Sequence, residues 1–272
     1  MTQSVPRWQV LSTTIIVVIS AVSSLLGLFW SDHYSESAEL VTRLQAQDAV
    51  ILAIGVPVLS IGLVRARRGS VRGTLVWLGS LAFTTYMWAS YALTVPFDAF
   101  FLGYLLLFGL SLFTLLGGIL NLDVDAVSNA LDGRVSRRIY AGFLGFAAIG
   151  LAALWFSEIV VAVLAGTDPA VIEAFGPQAV GTYIIDLGVV VPSLAIAAGW
   201  LWQRRPWGYA VTGVLLVFAG LLAPAITAIT VVDVQQGLSL STASIVASIV
   251  PPLVGAVFAG TYLRAATPIR SA

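Results

Sequence analysis

Eight apolar stretches, each close to 20 residues long, constrain this chain more than any other feature of its sequence. A helix rises about 1.5 Å per residue, so about 20 apolar residues span the hydrocarbon core of a bilayer. Backbone groups in lipid must be paired within the chain, which restricts such segments to helices or closed barrels. The sequence therefore predicts an all-α integral membrane protein, a bundle of about eight transmembrane helices at roughly 9–30, 44–64, 74–94, 99–120, 139–160, 179–202, 208–230 and 244–263.

The composition supports the same fold class. Hydrophobic residues make up 59% of the 272 positions and charged residues only 10%, whereas a soluble domain carries about 25% charged residues. The lipid bilayer is thus the predicted partner of most of the surface. The segments between the apolar runs are too short to fold a core of their own, so we expect one transmembrane domain over 1–272. The first run is too long for a signal peptide and is interpreted as a retained helix.

The arginines indicate the orientation. With the N-terminus inside, twelve of the thirteen basic residues, all of them arginine, fall in inner segments, and only Arg43 lies outside. This asymmetry is typical of cytoplasmic loops. It predicts a multi-pass protein of the plasma (inner) membrane with both termini in the cytoplasm. Clusters of inner arginines are also expected to bind anionic lipid headgroups: Arg65, Arg67, Arg68 and Arg72, then Arg134, Arg137 and Arg138, then Arg204 and Arg205.

A faint internal repeat runs through the chain. Pro57 and Pro192 lie at the centres of the second and sixth runs, and each is followed by an arginine pair and by a glycine that opens the next run, Gly73 or Gly208. These features favour two four-helix repeats in parallel, with candidate halves 1–125 and 134–272, related by an axis along the membrane normal. Chance recurrence stays open, because leucine, proline and glycine are what membrane helices contain.

Three carboxylates fall within the apolar runs, where an ionisable group is costly and needs a reason. Asp48 lies about one turn into the second run, Asp186 about two turns into the sixth, and Glu158 near the outer end of the fifth. All three are expected in the outer leaflet. Carboxylates ringed by aromatic side chains could bind a cation or relay protons, so the predicted substrate- or ion-binding site adds the aromatic residues at similar depth: Tyr86, Trp88, Tyr91 and Tyr183.

The same carboxylates have structural interpretations. Asp48 would be favoured by the helix dipole if it lies in the first turn of its helix. Glu158 would lie at the membrane interface if the fifth helix ended near Ser157. Asp186, in the middle of apolar sequence, would be a protonated or hydrogen-bonded structural carboxyl.

Several kinds of chemistry are excluded because the side chains that they require are absent from the sequence. The chain has no lysine for a Schiff base, no cysteine, and a single histidine, His33, interpreted as part of a solvated outer loop. No metal and no cofactor are expected, and a net charge of zero offers no field for nucleic acid. The sequence favours a transporter of a small solute, in which transport is coupled to a cation or to protons. The alternatives are a non-catalytic subunit, sensor or assembly factor, and an intramembrane lipid-modifying enzyme, each compatible with a homo-oligomer.

Overall fold

The computed structural model describes residues 5–34, 36–95, 97–237 and 242–266. This part of the chain is 86% helical and contains no strand, so the predicted all-α class is confirmed. Eight helices are long, and each overlaps one of the eight apolar runs; two short ones lie between them. In chain order they are α1 (Arg7–Phe29), α2 (Ala38–Arg67), α3 (Val71–Thr94), α4 (Phe101–Leu120), α5 (Val124–Leu131), α6 (Arg137–Ala165), α7 (Ala170–Phe175), α8 (Pro177–Trp202), α9 (Pro206–Gln235) and α10 (Thr242–Ala265).

Six of the long helices, α1, α2, α4, α6, α8 and α9, are long and apolar enough to cross a membrane. The chain is therefore a multi-pass membrane protein. Helix α3 falls outside this set because its threonine, serine, tyrosine and tryptophan residues dilute its apolar character. In α10 the apolar stretch found is the shorter Ile249–Ala265. The predicted count of eight crossings thus stays a proposal, although all eight helices are present.

Polar residues at the loop ends start several helices. Ser37 accepts a hydrogen bond from the Leu40 amide and so caps α2, and Ser70 caps α3 in the same way through the Gly73 amide at 3.1 Å. These oxygens satisfy amides that have no partner inside the helix. Helix α6 ends at Gly166, which adopts a left-handed conformation with φ of 67°.

Helices α3 and α9 form the centre of the bundle and pack against each other. Helix α3 also packs on α2 and α4, and α9 on α8 and α10. The two central helices approach closely at Gly79, where an added Cβ would lie 2.8 Å from the Val214 carbonyl oxygen. The largest side chains of the core, Trp77, Trp88 and Tyr91, belong to α3, so the polar composition of this helix is buried within protein.

Helices α2 and α8 are each interrupted by one widened turn of five residues, Ile51–Gly55 and Asp186–Val190. The valine after each turn donates its amide to the carbonyl five residues earlier instead of four. A proline, Pro57 or Pro192, follows that valine directly. Proline has no amide hydrogen and clashes with the preceding turn, which gives a physical reason for the change of geometry there.

Candidate functional site

Asp48 lies in α2, one turn before the widened turn, and is fully buried. The Tyr34 hydroxyl donates to Asp48 Oδ2 at 2.6 Å, and the Tyr91 hydroxyl donates to Oδ1 at 3.3 Å. Gly27 of α1 faces the carboxylate so closely that an added Cβ would overlap Oδ2. The carboxylate therefore occupies space that exists because residue 27 has no side chain. We call this group, with its aromatic neighbours, the Asp48 cluster.

Trp88 supports the Asp48 cluster from α3. Its indole N–H donates to Ser20 Oγ at 3.0 Å. Its ring stacks on Tyr104 with centroids 6.0 Å apart and lies 5.1 Å from the ring of Tyr91. The predicted binding residues Trp88 and Tyr91 are thus brought together with Asp48, Trp88 as packing and Tyr91 as a hydrogen-bond donor.

His33, in the loop after α1, covers one side of this cluster. The prediction of a solvated His33 is wrong, because only 2% of the residue is exposed. Its ring packs 4.1 Å from Phe100 and 4.6 Å from Tyr34, and its Nε2 lies 3.4 Å from the Tyr104 hydroxyl. Burial lowers the pKa of His33, against a smaller opposing effect of Asp98. The loop after α1 folds back over aromatic rings, which the loop's polar sequence did not indicate.

Asp186 is the first residue of the widened turn in α8 and is 6% exposed. The Tyr86 hydroxyl donates to its Oδ1 at 3.0 Å, and the Trp155 indole donates to its Oδ2 at 2.9 Å. These two donors come from α3 and α6, so the carboxylate lies where three helices meet. Both donors are neutral, and each carboxylate oxygen has one.

Glu158 holds the C-terminal end of α6 to the following elements. Its Oε1 accepts hydrogen bonds from the Tyr183 hydroxyl at 2.9 Å and from the Val171 amide at 3.1 Å. Tyr183 also packs edge-on against Trp155, with ring centroids 5.0 Å apart. Glu158 and Tyr183 therefore belong with Asp186 in a second group, the Asp186 cluster. Helix α6 continues to Ala165, so the alternative in which it ends near Ser157 is wrong.

The central helix α3 serves both clusters. Tyr86 binds Asp186 and Tyr91 binds Asp48, so the described contacts place the two carboxylates in separate groups instead of one shared cavity. One small cavity of about 10 Å³ adjoins the Asp48 cluster, where Trp88 and the widened turn of α2 line it, and another of about 50 Å³ is lined by Gln9 and Trp77. A water molecule needs about 10–15 Å³ of such space, so these cavities hold a few waters at most.

Sequence reasoning missed one ion pair. Arg43 Nε lies 2.5 Å from Asp233 Oδ1, and Arg43 Nη2 lies 2.5 Å from Oδ2, which joins α2 to α9 in a bidentate contact. Asp233 was expected in a loop, but α9 continues to Gln235 and buries it. The available signal was Arg43 itself, the one arginine on the outer side of the predicted topology.

Tyr34 and Trp155 were also missed as partners of the carboxylates. Tyr34 lies in a loop outside the predicted runs, whereas Trp155 lies within the fifth run, one turn before Glu158, and its position alone did not indicate that it binds Asp186. Among the described residues, no group of three or more histidine, aspartate or glutamate side chains could hold a metal ion.

These features define the class as a helical multi-pass membrane protein whose buried carboxylates are held by aromatic hydrogen-bond donors. No protein-family model, curated protein or solved structure matches the chain.

Proposed function

We propose that this protein is a cation- or proton-linked transporter of a small solute, with Asp186 as the carboxylate that couples ion binding to movement. The observation that carries this proposal is the position of Asp186. It is buried, it begins a widened turn in the middle of a helix, and the donors to its two oxygens are neutral. Ionisable groups in such places are by default candidates for ion or proton pathways.

The chemistry of the Asp186 cluster fits ion binding. An ionised carboxylate buried without an opposite charge is costly, and two neutral donors offset only part of that cost. A proton or a monovalent cation bound at Asp186 would remove the charge. The occupancy of the site would then set how stably α3, α6 and α8 pack together, which is the property that a coupling site needs.

We further propose that the chain is a parallel duplication of four helices, because several geometric features recur at one spacing. The widened turns begin at Ile51 and Asp186, 135 positions apart. The turns that leave α2 and α8 each contain one residue with positive φ, Gly69 and Arg204, again 135 apart. Gly73 and Gly208 follow at the same spacing, and at both an added Cβ would meet the backbone of the preceding helix, Arg65 or Trp200, within 2.6 Å.

The helix packing supports the same duplication. Helix α3 contacts α2 and α4 as α9 contacts α8 and α10. In addition α2 reaches across to α9, and the outer part of α8 reaches across to α3. A two-fold axis between α3 and α9 would produce both sets of contacts. Two like bundles that meet at one central interface suit transport by rocking of one half against the other.

The duplication supports eight crossings, which place both termini on the arginine-rich side. In our proposal the membrane is a plasma membrane and the arginine-rich side faces the cytoplasm. Each half then contributes four crossings and returns the chain to the side where it began. The clustered arginines of that side favour contact with anionic lipid headgroups. The apolar outer faces of α4 and α6 fit lipid or a second copy of the chain, as a homo-oligomer would require.

One observation favours a second candidate, a non-catalytic subunit or sensor. The oxygens of Asp48 and Asp186 already accept hydrogen bonds, and both residues are nearly inaccessible. A structural role would need nothing more. In the transporter, the same arrangement is an occluded state that opens when the two halves move.

The experiment that tests transport needs no knowledge of the solute. Purified protein in liposomes is adsorbed on a solid-supported membrane, and charge movement is recorded after jumps in pH, Na⁺ or K⁺. We expect transient currents from the natural protein and their loss in Asp186→Asn. The matched control Asp125→Asn removes an exposed carboxyl on α5 and should keep the currents.

Tyr86→Phe provides a second test in the same current measurement, because it keeps the Asp186 carboxylate and removes one of its hydrogen-bond donors. We expect currents that persist with a shifted ion dependence. If the natural protein is folded and monodisperse but gives no current with any of the three ions, the transporter proposal fails and the subunit interpretation takes its place.

A further inference from the structure

Arg204 adopts a backbone conformation that a residue with a side chain rarely takes. With φ of 59° it is the one non-glycine residue of positive φ in the described ranges. It lies just after α8, where the Arg205 amide donates to the Trp200 carbonyl at 3.0 Å and the Arg204 amide to the Leu201 carbonyl at 3.1 Å. Helices that end in this pattern usually place glycine at the left-handed position, because a Cβ there crowds the following carbonyl oxygen.

The turn after α2 shows that glycine fits. Gly69, with φ of 74°, has the same place in that turn. The Ser70 amide donates to the Arg65 carbonyl at 3.2 Å, and the Gly69 amide to the Ala66 carbonyl at 2.9 Å. The two turns share one hydrogen-bond pattern, so the pattern itself does not demand arginine. Glycine at position 204 would relieve the backbone strain, so the strain comes from the presence of the arginine side chain.

The arginines that begin α6 are also placed against local preference. Arg137 and Arg138 occupy the first turn, where the positive end of the helix dipole disfavours cations. That turn contains no acidic residue, and the Ser136 side chain makes no capping hydrogen bond. In α2, by contrast, Arg65 and Arg67 lie in the last turn, where the dipole favours them.

The two unfavourable placements converge on one spot of the arginine-rich face. Arg137 Nη1 donates to the Trp202 carbonyl at 3.3 Å, which joins the start of α6 to the end of α8. Trp202 lies two residues before Arg204, so this contact brings Arg137 to the turn that carries Arg204. The Tyr209 hydroxyl, in the first turn of α9, donates to Asp132 Oδ1 at 2.6 Å, so an acidic residue lies beside this turn. Among the described residues neither arginine forms an ion pair with Asp132.

Two aromatic residues set the depth of this spot. Trp202 is 58% exposed and Trp207 is 37% exposed, on either side of the turn that carries Arg204. Exposed tryptophans are enriched at the headgroup level of a bilayer. Tryptophans at that level would place the turn that carries Arg204 at the depth of lipid phosphates.

We propose that Arg137, Arg138, Arg204 and Arg205 bind the phosphate of an anionic phospholipid headgroup in the angle between α6 and the turn from α8 to α9. Guanidinium groups bind phosphate oxygens in pairs of parallel hydrogen bonds. A phosphate here would offset the repulsion among four cations and complement the uncapped start of α6. This inference is independent of transport, since it rests on the two turns and on the first turn of α6.

The test is a thermal melt in nanodiscs of phosphatidylcholine alone or mixed with phosphatidylglycerol. We expect the natural protein to melt at a higher temperature in the mixed discs. Arg204→Gly removes the strained side chain, so it should melt at the same or a higher temperature in phosphatidylcholine. It should lose most of the increment that phosphatidylglycerol gives. Arg7→Gln, which removes an exposed arginine from the first turn of α1 that belongs to none of the arginine clusters, is the matched control and should keep the increment.

A second variant guards against an indirect effect of the turn. Arg137→Gln combined with Arg138→Gln leaves the turn untouched and should also lose the increment. The proposal is overturned if both variants keep the full increment, or if Arg7→Gln loses as much as they do. Inorganic phosphate added to phosphatidylcholine discs separates the sources of the ligand: if it reproduces the increment, the site takes a soluble phosphate and the lipid assignment is wrong.

Discussion

Gly27→Ala tests the packing of the Asp48 cluster. Our account predicts that the substitution destabilises the protein, whereas the higher helix propensity of alanine alone would stabilise it. An added Cβ would overlap Asp48 Oδ2, lie 2.8 Å from the Tyr34 hydroxyl and lie 3.0 Å from Asp48 Cγ. The carboxylate would have to move away from α1. In moving it would lose the 2.6 Å hydrogen bond from Tyr34 and strain the weaker one from Tyr91.

The magnitude follows from three contributions. Inserting a methyl group into a packed interior costs about 1–3 kcal/mol. A hydrogen bond to a charged group contributes about 1.5–3 kcal/mol when it is lost. Alanine is favoured over glycine within a helix by about 1 kcal/mol, which acts in the opposite direction. The net expectation is a loss of about 1.5–5 kcal/mol of folding free energy.

The assay is tryptophan fluorescence during thermal unfolding of the purified protein in detergent. A loss of this size corresponds to an apparent melting temperature lower by roughly 3–20 °C. Gly109→Ala is the matched control, because it lies within α4 and an added Cβ there meets nothing within 4 Å. It should leave the melting temperature unchanged or raise it. A Gly27→Ala protein as stable as the natural one would refute the close approach of α1 to Asp48.

Three further outcomes are expected. Gly73→Ala and Gly208→Ala should each destabilise the protein by about 1–3 kcal/mol in the same melts, because both glycines contact helix backbone; an effect at one position alone would contradict their equivalence. Arg43→Gln and Asp233→Asn should each lower the free energy of unfolding by about 3–5 kcal/mol. The double variant should lower it by clearly less than the sum, and additive losses would argue against the ion pair. Burial lowers the pKa of His33, so the folded state binds fewer protons than the unfolded state. Stability should therefore fall as the pH drops through the ordinary histidine pKa of about 6.5. In His33→Gln the melting temperatures at about pH 7.5 and about pH 5.5 should differ less than in the natural protein, and an unchanged difference would mean that His33 is accessible.

The helices themselves could be predicted from the sequence, because transfer of a side chain into lipid is a local property. The central prolines were also informative, since each follows a widened turn. Helix α3 marks the limit of this signal. Its run was predicted as a transmembrane helix, yet it is too polar to be recognised by apolar character alone, because the rest of the bundle surrounds it.

The contacts of the carboxylates could not be predicted in the same way. Tyr86 and Asp186 are 100 positions apart, and Arg43 and Asp233 are 190 apart. Such pairs depend on which faces of the helices meet, and the apolar runs are too uniformly hydrophobic to show those faces. Sequence reasoning could therefore select Asp48, Asp186 and Glu158 as unusual, but could not assign their partners.

The polar character of α3 has a consequence for how the protein enters the membrane. Helices are judged for insertion by their own transfer free energy, which polar and aromatic residues make less favourable. In the eight-crossing topology that we propose, α3 would insert poorly alone and would depend on α2 and α4 to hold it in the bilayer during synthesis. Substitutions that add polarity to α3 would then yield chains with inverted or missing crossings, a defect of biogenesis that no assay of the folded protein would record.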